Sequence, residues 1–168
     1  DGDDEVAQVV DVRRAADLAD QQLAAVLLEE AAAGVGAEAA QRRVDALALE
    51  TFRQPDELEL AIEGARAGSR NAVPLMAMCS FDAFGTMADG KGPEQMAELL
   101  VSLGVDAVGV NCADGPAGVY EMATRMLGCR FRVAAQPNES NPRRVEGRFA
   151  YMATPEYFQL YARRLFKA

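Results

Sequence analysis

The sequence of 168 residues contains no histidine and only two lysines, Lys91 and Lys167. Without histidine, neither a Ser-His nor a Cys-His catalytic pair can be assembled within these residues. Lys91 sits in a glycine-rich stretch and Lys167 at the end of a helical pattern, which disfavours a Schiff-base lysine on a strand end. Cysteine is scarce as well: Cys79, Cys112 and Cys129 are an odd set with no framework spacing. That usage points to free thiols or metal ligands in a reducing compartment, so a cytoplasmic location is expected. No apolar run reaches the ~18 residues of a membrane span, and no basic-then-apolar start is present. Neither a membrane segment nor a signal peptide is therefore expected. Carboxylates, thiols and amides are left to carry chemistry.

What is present describes an ordinary soluble domain. Half of the residues are hydrophobic, with 14 glycines and 7 prolines, enough for a sizeable core. The formal net charge of −9 argues against a nucleic-acid surface and fits small-molecule partners.

Residues 1–5 are acidic and read as a frayed end. Alanine, leucine, glutamate and arginine favour a helix over residues 6–33, with Gly34-Val35-Gly36 as its stop and a shorter helix over 37–43. The chain thus divides into a helical N-terminal segment, 1–43, and a region of βα units, 44–168. In the second part, apolar runs at 44–49, 73–79, 105–110 and 131–135 read as strands. Each is followed by a proline-marked helix start, at Gln54-Pro55, Gly92-Pro93, Gly115-Pro116 and Thr154-Pro155, with Asp56, Glu57, Glu94 and Glu156 where the helix dipole favours acids.

The helices carry single apolar faces: Leu58, Ala61, Ile62, Ala65; Met96, Leu99, Leu100, Leu103; Val119, Met122, Ala123, Met126; and Phe158, Tyr161, Ala162, Leu165. The methionines in them read as core filler. Strand alternating with helix implies an α/β fold with a parallel sheet. Units of roughly 30 residues would need about 250 residues to close a (β/α)8 barrel, so four units form either a small open sheet or part of a barrel.

In either case ligands bind at the C-terminal ends of the strands. The residues just past the apolar runs are Glu50-Thr51, Ser80, Asn111-Cys112 and Gln136-Pro137-Asn138, every one polar or reactive. Singly, each has a plainer reading: Glu50 can cap an amide or pair with an arginine, Ser80 can be a turn residue, and Asn138 can hold its own loop. Cys79 and Cys129 read as structural thiols. Cys112 closes Val105-Asp106-Ala107-Val108-Gly109-Val110-Asn111-Cys112 at the functional edge and is the candidate for chemistry. A lone cysteine is not a zinc site, which normally takes three protein ligands when one position is left for substrate. Two loops complete the rim. Residues 81–92 are glycine-rich but match no phosphate-binding loop and read as a flexible rim loop. Residues 137–154, with Arg143, Arg144 and Arg148, have the length of a lid or binding loop. No glycine-rich turn opens a helix as a phosphate-binding barrel enzyme would require.

Four motifs in order, Leu49-Glu50-Thr51-Phe52, Gly109-Val110-Asn111-Cys112 with Gly115-Pro116, Gln136-Pro137-Asn138, and Tyr151 through Thr154-Pro155-Glu156-Tyr157-Phe158, resemble the homocysteine S-methyltransferase family of zinc-dependent barrels. Gly147-Arg148 and Pro155-Glu156-Tyr157-Phe158 are similar in wording to bacterial members fused to a methylenetetrahydrofolate reductase domain. The resemblance implies a partial (β/α)8 TIM barrel and methyl transfer from an activated small-molecule donor to homocysteine, giving methionine. It implies zinc as cofactor, with Cys112 the first ligand and two adjacent cysteines expected beyond Ala168. Glu50 would hold the substrate's ammonium group, and Asn111 would support metal and substrate geometry. A reductase domain or a second copy is a further partner that the resemblance admits; a nucleic acid or membrane is not. The family's first strand with its Asp-Gly turn is not recognisable here, and its Pro-Asn-Ala-Gly stands as Pro137-Asn138-Glu139-Ser140. The isolated 168 residues are expected to be an incomplete copy that binds zinc weakly and shows no turnover. The competing expectation is a non-catalytic α/β module or inactive fragment in which Cys112 is incidental.

Overall fold

A computed structural model describes residues 21–140, 142–145, 147–151 and 153–168. Helix α1, Gln21–Arg42, comes first, followed by strand β1, Leu47–Phe52, and helix α2, Pro55–Ser69. Then come β2, Leu75–Cys79; α3, Pro93–Ser102; β3, Ala107–Cys112; and α4, Gly115–Met126, which ends in a short 3-10 turn, Leu127–Cys129. Strand β4, Val133–Pro137, a small hairpin of β5, Arg143–Val145, and β6, Arg148–Ala150, and helix α5, Pro155–Lys167, complete the chain.

Strands β1 to β4 form one parallel sheet whose spatial order is their order in the sequence. A doubly wound open sheet reverses its order at a switch point; a barrel does not. The sheet alternating with α2, α3 and α4 is therefore part of a TIM-barrel-like βα fold, as expected. The helix starts follow the proline signals, with proline at the first or second position of α2, α3, α4 and α5. Leu58, Ala61, Ile62 and Ala65 of α2 and Val119, Met122, Ala123 and Met126 of α4 are buried as the periodicity predicts. No helix among the described residues is long and apolar enough to cross a membrane.

Several expectations need correction. The start expected at residue 6 lies outside the described residues, and Gly34-Val35-Gly36 does not stop the helix: α1, Gln21–Arg42, runs unbroken through it. Residues 37–42 are the last part of α1 and not a separate helix, and Arg43 follows its end. Glycine there serves packing. A Cβ on Gly36 would lie 2.3 Å from the carbonyl oxygen of Ala65, and one on Gly68 of α2 would lie 1.8 Å from that of Ala33. The two backbones can approach only because these positions have no side chain.

The strands begin and end two or three residues later than the apolar runs on three of four occasions, because pairing continues past the last apolar residue. Asn111 and Cys112 are ladder residues in register with Gln136 and Pro137 of β4. Val44, Val73, Val105 and Phe131 pack before their strands begin. Helix α5 buries none of its residues fully, unlike the other three, although Leu165 packs partly on the core. The long 137–154 connection is not structureless; it carries the antiparallel β5–β6 hairpin, with Arg144 opposite Phe149.

The 81–92 loop is likewise not a loose rim. The Asp82 carboxylate accepts from the N–H groups of Phe84 at 2.9 Å and Thr86 at 3.0 Å and from the Thr86 hydroxyl, while Lys91 pairs with Asp89. Those bonds, led by the Thr86 N–H, hold the Asp82 carboxyl below its ordinary pKa. Phe81 and Met87, both within the loop, are buried.

Candidate active site

Strands β1 and β3 do not pair, since β2 lies between them, yet their side chains meet at the C-terminal end of the sheet. In barrel-type sheets, inward-pointing residues of alternate strands share one layer. Asn111 of β3 reaches Thr51 of β1 in that way. The Thr51 N–H donates to Asn111 Oδ1 at 2.9 Å, and Asn111 Nδ2 donates to Thr51 Oγ1 at 2.6 Å. Asn111 is only 2% exposed, so this reciprocal pair satisfies an amide that would otherwise be costly to bury.

The sulfur of Cys112 lies beside the pair, 3.8 Å from both Asn111 Nδ2 and Thr51 Oγ1. Cys112 is free and half-buried. It faces a cleft of about 360 Å3 whose wall includes Thr51, Arg53, Ser80, Asp82, Asp114 and Asn138.

The backbone is strained at this point. Thr51 has φ of 65°, Cys112 of 60° and Ala113 of 44°, all left-handed and none a glycine. Such conformations cost on the order of 1–3 kcal/mol each and persist where surrounding contacts over-determine them. At Thr51 the cause is a bulge: the β1–β2 register slips between Leu49 and Phe52, leaving Glu50 and Thr51 without ladder partners on β2. The freed Thr51 N–H is the one that meets Asn111.

The structure therefore brings Asn111 and Cys112 together. Glu50, half-buried in the same bulge, is not among the residues lining this cleft and forms no ion pair among the described residues. Thr51 was missed as a site residue by sequence reasoning; its adjacency to Glu50 at a strand end was the available signal. Ser80 is buried, and its N–H donates to the Phe52 carbonyl at 2.8 Å, tying the ends of β1 and β2 together. Asn138 accepts from the Ser140 N–H at 3.1 Å, the plain loop-holding role, while also lining the cleft.

The other thiols stand apart. Cys79 is fully buried at the end of β2, where loss of hydration pushes its pKa up to about 12. Cys129 lies at the far end of α4, on the edge where β4 begins. No three His, Cys, Asp or Glu side chains among the described residues converge to hold a metal. Cys112 is a suitable soft donor for zinc with an open face, but it is one ligand where an open zinc site takes three.

A second, larger cleft of about 600 Å3 adjoins the first through Asp82, Ala83, Ala113 and Asp114 and continues to Glu121, Ser140, Thr154 and Tyr157. The rim thus brings one thiol, hydroxyls and several carboxylates around connected space, with the clamped Asn111 amide buried behind the thiol.

Comparison with known proteins gives two relatives and a family. The chain is 31% identical over 102 residues to a protein named methionine synthase from Mycobacterium tuberculosis and 30% identical over 102 residues to one of the same name from Mycobacterium leprae. Each match covers 58% of this chain but only 9% and 8% of those proteins, so the chain spans a small part of their length. The family model described as homocysteine S-methyltransferase matches residues 8–168. The chain belongs to the homocysteine S-methyltransferase family.

Proposed function

We propose that this chain takes part in moving a methyl group from an activated small-molecule donor to the thiol of homocysteine, giving methionine, with Cys112 as a ligand of the zinc ion that holds the substrate sulfur. The observation that carries the reading is a single half-buried thiol at the C-terminal end of β3, facing a cleft and flanked by a clamped amide. Membership of the family and the name of the two mycobacterial relatives support the same chemistry.

Zinc, when bound, supplies a Lewis acid that keeps the substrate thiol deprotonated at neutral pH, so no histidine is needed as a base. Cys112 would give its sulfur to that metal. Asn111 would fix the strand end that carries the ligand. Glu50 would take the ammonium group of homocysteine in a charge-assisted contact. Two further thiolates would come from polypeptide outside residues 1–168, because Cys79 is sealed in the core and Cys129 sits at the opposite edge of the sheet. A reductase domain or a second copy is the macromolecular partner this reading admits, and three free cysteines fit work in a reducing compartment such as the cytoplasm.

Calorimetric titration of homocysteine into zinc-supplemented protein long enough to supply those two further thiolates tests the reading. Cys112→Ser is expected to abolish the zinc-dependent part of the binding, and Glu50→Gln to weaken it about tenfold, the ~1.4 kcal/mol of a modest charge-assisted contact. Wild-type affinity in both variants would leave a non-catalytic α/β module with an incidental thiol.

A further inference from the structure

We propose that Thr51 is a positioning residue for the site: it sets which way the Asn111 amide faces and, with its own hydroxyl, presents donors to the Cys112 sulfur. This rests on the reading of Cys112 as the working thiol, but it concerns only the contacts among Thr51, Asn111 and Cys112 and is measured without methyl transfer.

The directions of the hydrogen bonds distinguish the two ends of the amide. A backbone N–H can only donate, so the Thr51 N–H, 2.9 Å away, fixes the near end of the Asn111 amide as its oxygen. The other end is then the NH2 group, which donates to Thr51 Oγ1 at 2.6 Å and lies 3.8 Å from Cys112 Sγ. Oγ1 lies 3.8 Å from the sulfur as well, and once Cys112 gives its sulfur to a metal it has no proton left to donate, so the hydroxyl is then the donor. Two polar groups from different strands thus converge on one sulfur and fix the direction in which its lone pairs are held.

The bulge makes this possible. Glu50 and Thr51 lack ladder partners on β2, and Thr51 is held at φ of 65°, a conformation that a β-branched residue adopts only at a cost. Glycine would hold that backbone more comfortably. A threonine at the position therefore marks its side chain as the reason for the choice, and the hydroxyl is the part that touches the site.

Three substitutions separate the side chain from the backbone. Thr51→Gly relieves the strain and removes the hydroxyl, Thr51→Val keeps the shape and removes the hydroxyl, and Thr51→Ser keeps the hydroxyl. The readouts are the alkylation rate of Cys112 by iodoacetamide, measured against Cys129 in the same molecule, and the side-chain amide resonance of Asn111. We expect Thr51→Gly and Thr51→Val to change the Cys112 rate severalfold and to shift the Asn111 resonance, with the Cys129 rate unmoved. Thr51→Ser is expected to restore both to near wild type. If Thr51→Gly, the variant best able to keep the fold, leaves the Cys112 rate and the Asn111 resonance unchanged, the positioning role is wrong. It is equally wrong if Thr51→Ser behaves as Thr51→Gly does. Failure of homocysteine to bind, with the Thr51 effects intact, overturns the proposed function and leaves the positioning role standing.

Discussion

Among individual residues, the site depends on an amide that water cannot reach. Asn111 makes its bonds to Thr51 across an intervening strand, and both of its ends are used. Asn111→Leu keeps the branched shape in a larger volume and leaves the Thr51 N–H without its acceptor, so unfolding by urea is expected to show a loss of about 1–3 kcal/mol. A stability within a few tenths of wild type would mean that the clamp carries no weight. The sequence made Asn111, Cys112 and the family's strand end legible, because a polar pair closing a valine run is a local signal. Thr51's part was hidden: its partner is 60 residues away, and the bulge that turns its N–H inward depends on the register of β2.

Among the elements, α1 and α2 form a contact built on missing side chains. Gly34-Val35-Gly36 reads locally as a helix stop, since glycine favours C-caps and disfavours helix interiors. What overrides that preference is the approach of α2, which no local pattern reports. Gly68→Ala would drive a Cβ to 1.8 Å from the Ala33 carbonyl, and a loss of about 2–3 kcal/mol is expected in chemical denaturation. Gly34 is exposed with nothing near its missing Cβ, so Gly34→Ala is expected to stabilise α1 by about 0.5–1 kcal/mol. Equal effects of the two substitutions would refute the packing account. The four proline-marked helix starts, by contrast, were fully legible, because capping chemistry is local.

Across the molecule as a whole, the candidate site lies at one end of the sheet and an ionic tie at the other. The Asp106 carboxylate accepts from the Leu75 N–H at 2.8 Å and pairs with Arg66 at 2.8 Å, joining β2 and α2 to the start of β3. The Leu75 bond first, and then Arg66, hold the Asp106 carboxyl below its ordinary pKa. A carboxyl depressed in the folded state binds fewer protons there than in the unfolded chain, so its contribution is complete above the unfolded pKa of ~3.9 and fades as pH falls through the folded value. Urea midpoints are therefore expected to drop on acidification through that range, and Asp106→Asn to flatten the decline. An unchanged slope in the variant would place the acid sensitivity elsewhere, for instance at Asp82 or Glu94, whose carboxyls are also depressed.

All of the proposed chemistry turns on Cys112 giving its sulfur to a metal that also receives the thiol of homocysteine. Cobalt(II) substituted for zinc reports thiolate ligation as a charge-transfer absorption in the near ultraviolet. In protein long enough to supply the two further thiolates, this absorption is expected to appear, to grow when homocysteine is added, and to weaken in Cys112→Ser while keeping its full strength in Cys129→Ser. An absorption of undiminished strength in Cys112→Ser would show that the metal is held without this sulfur.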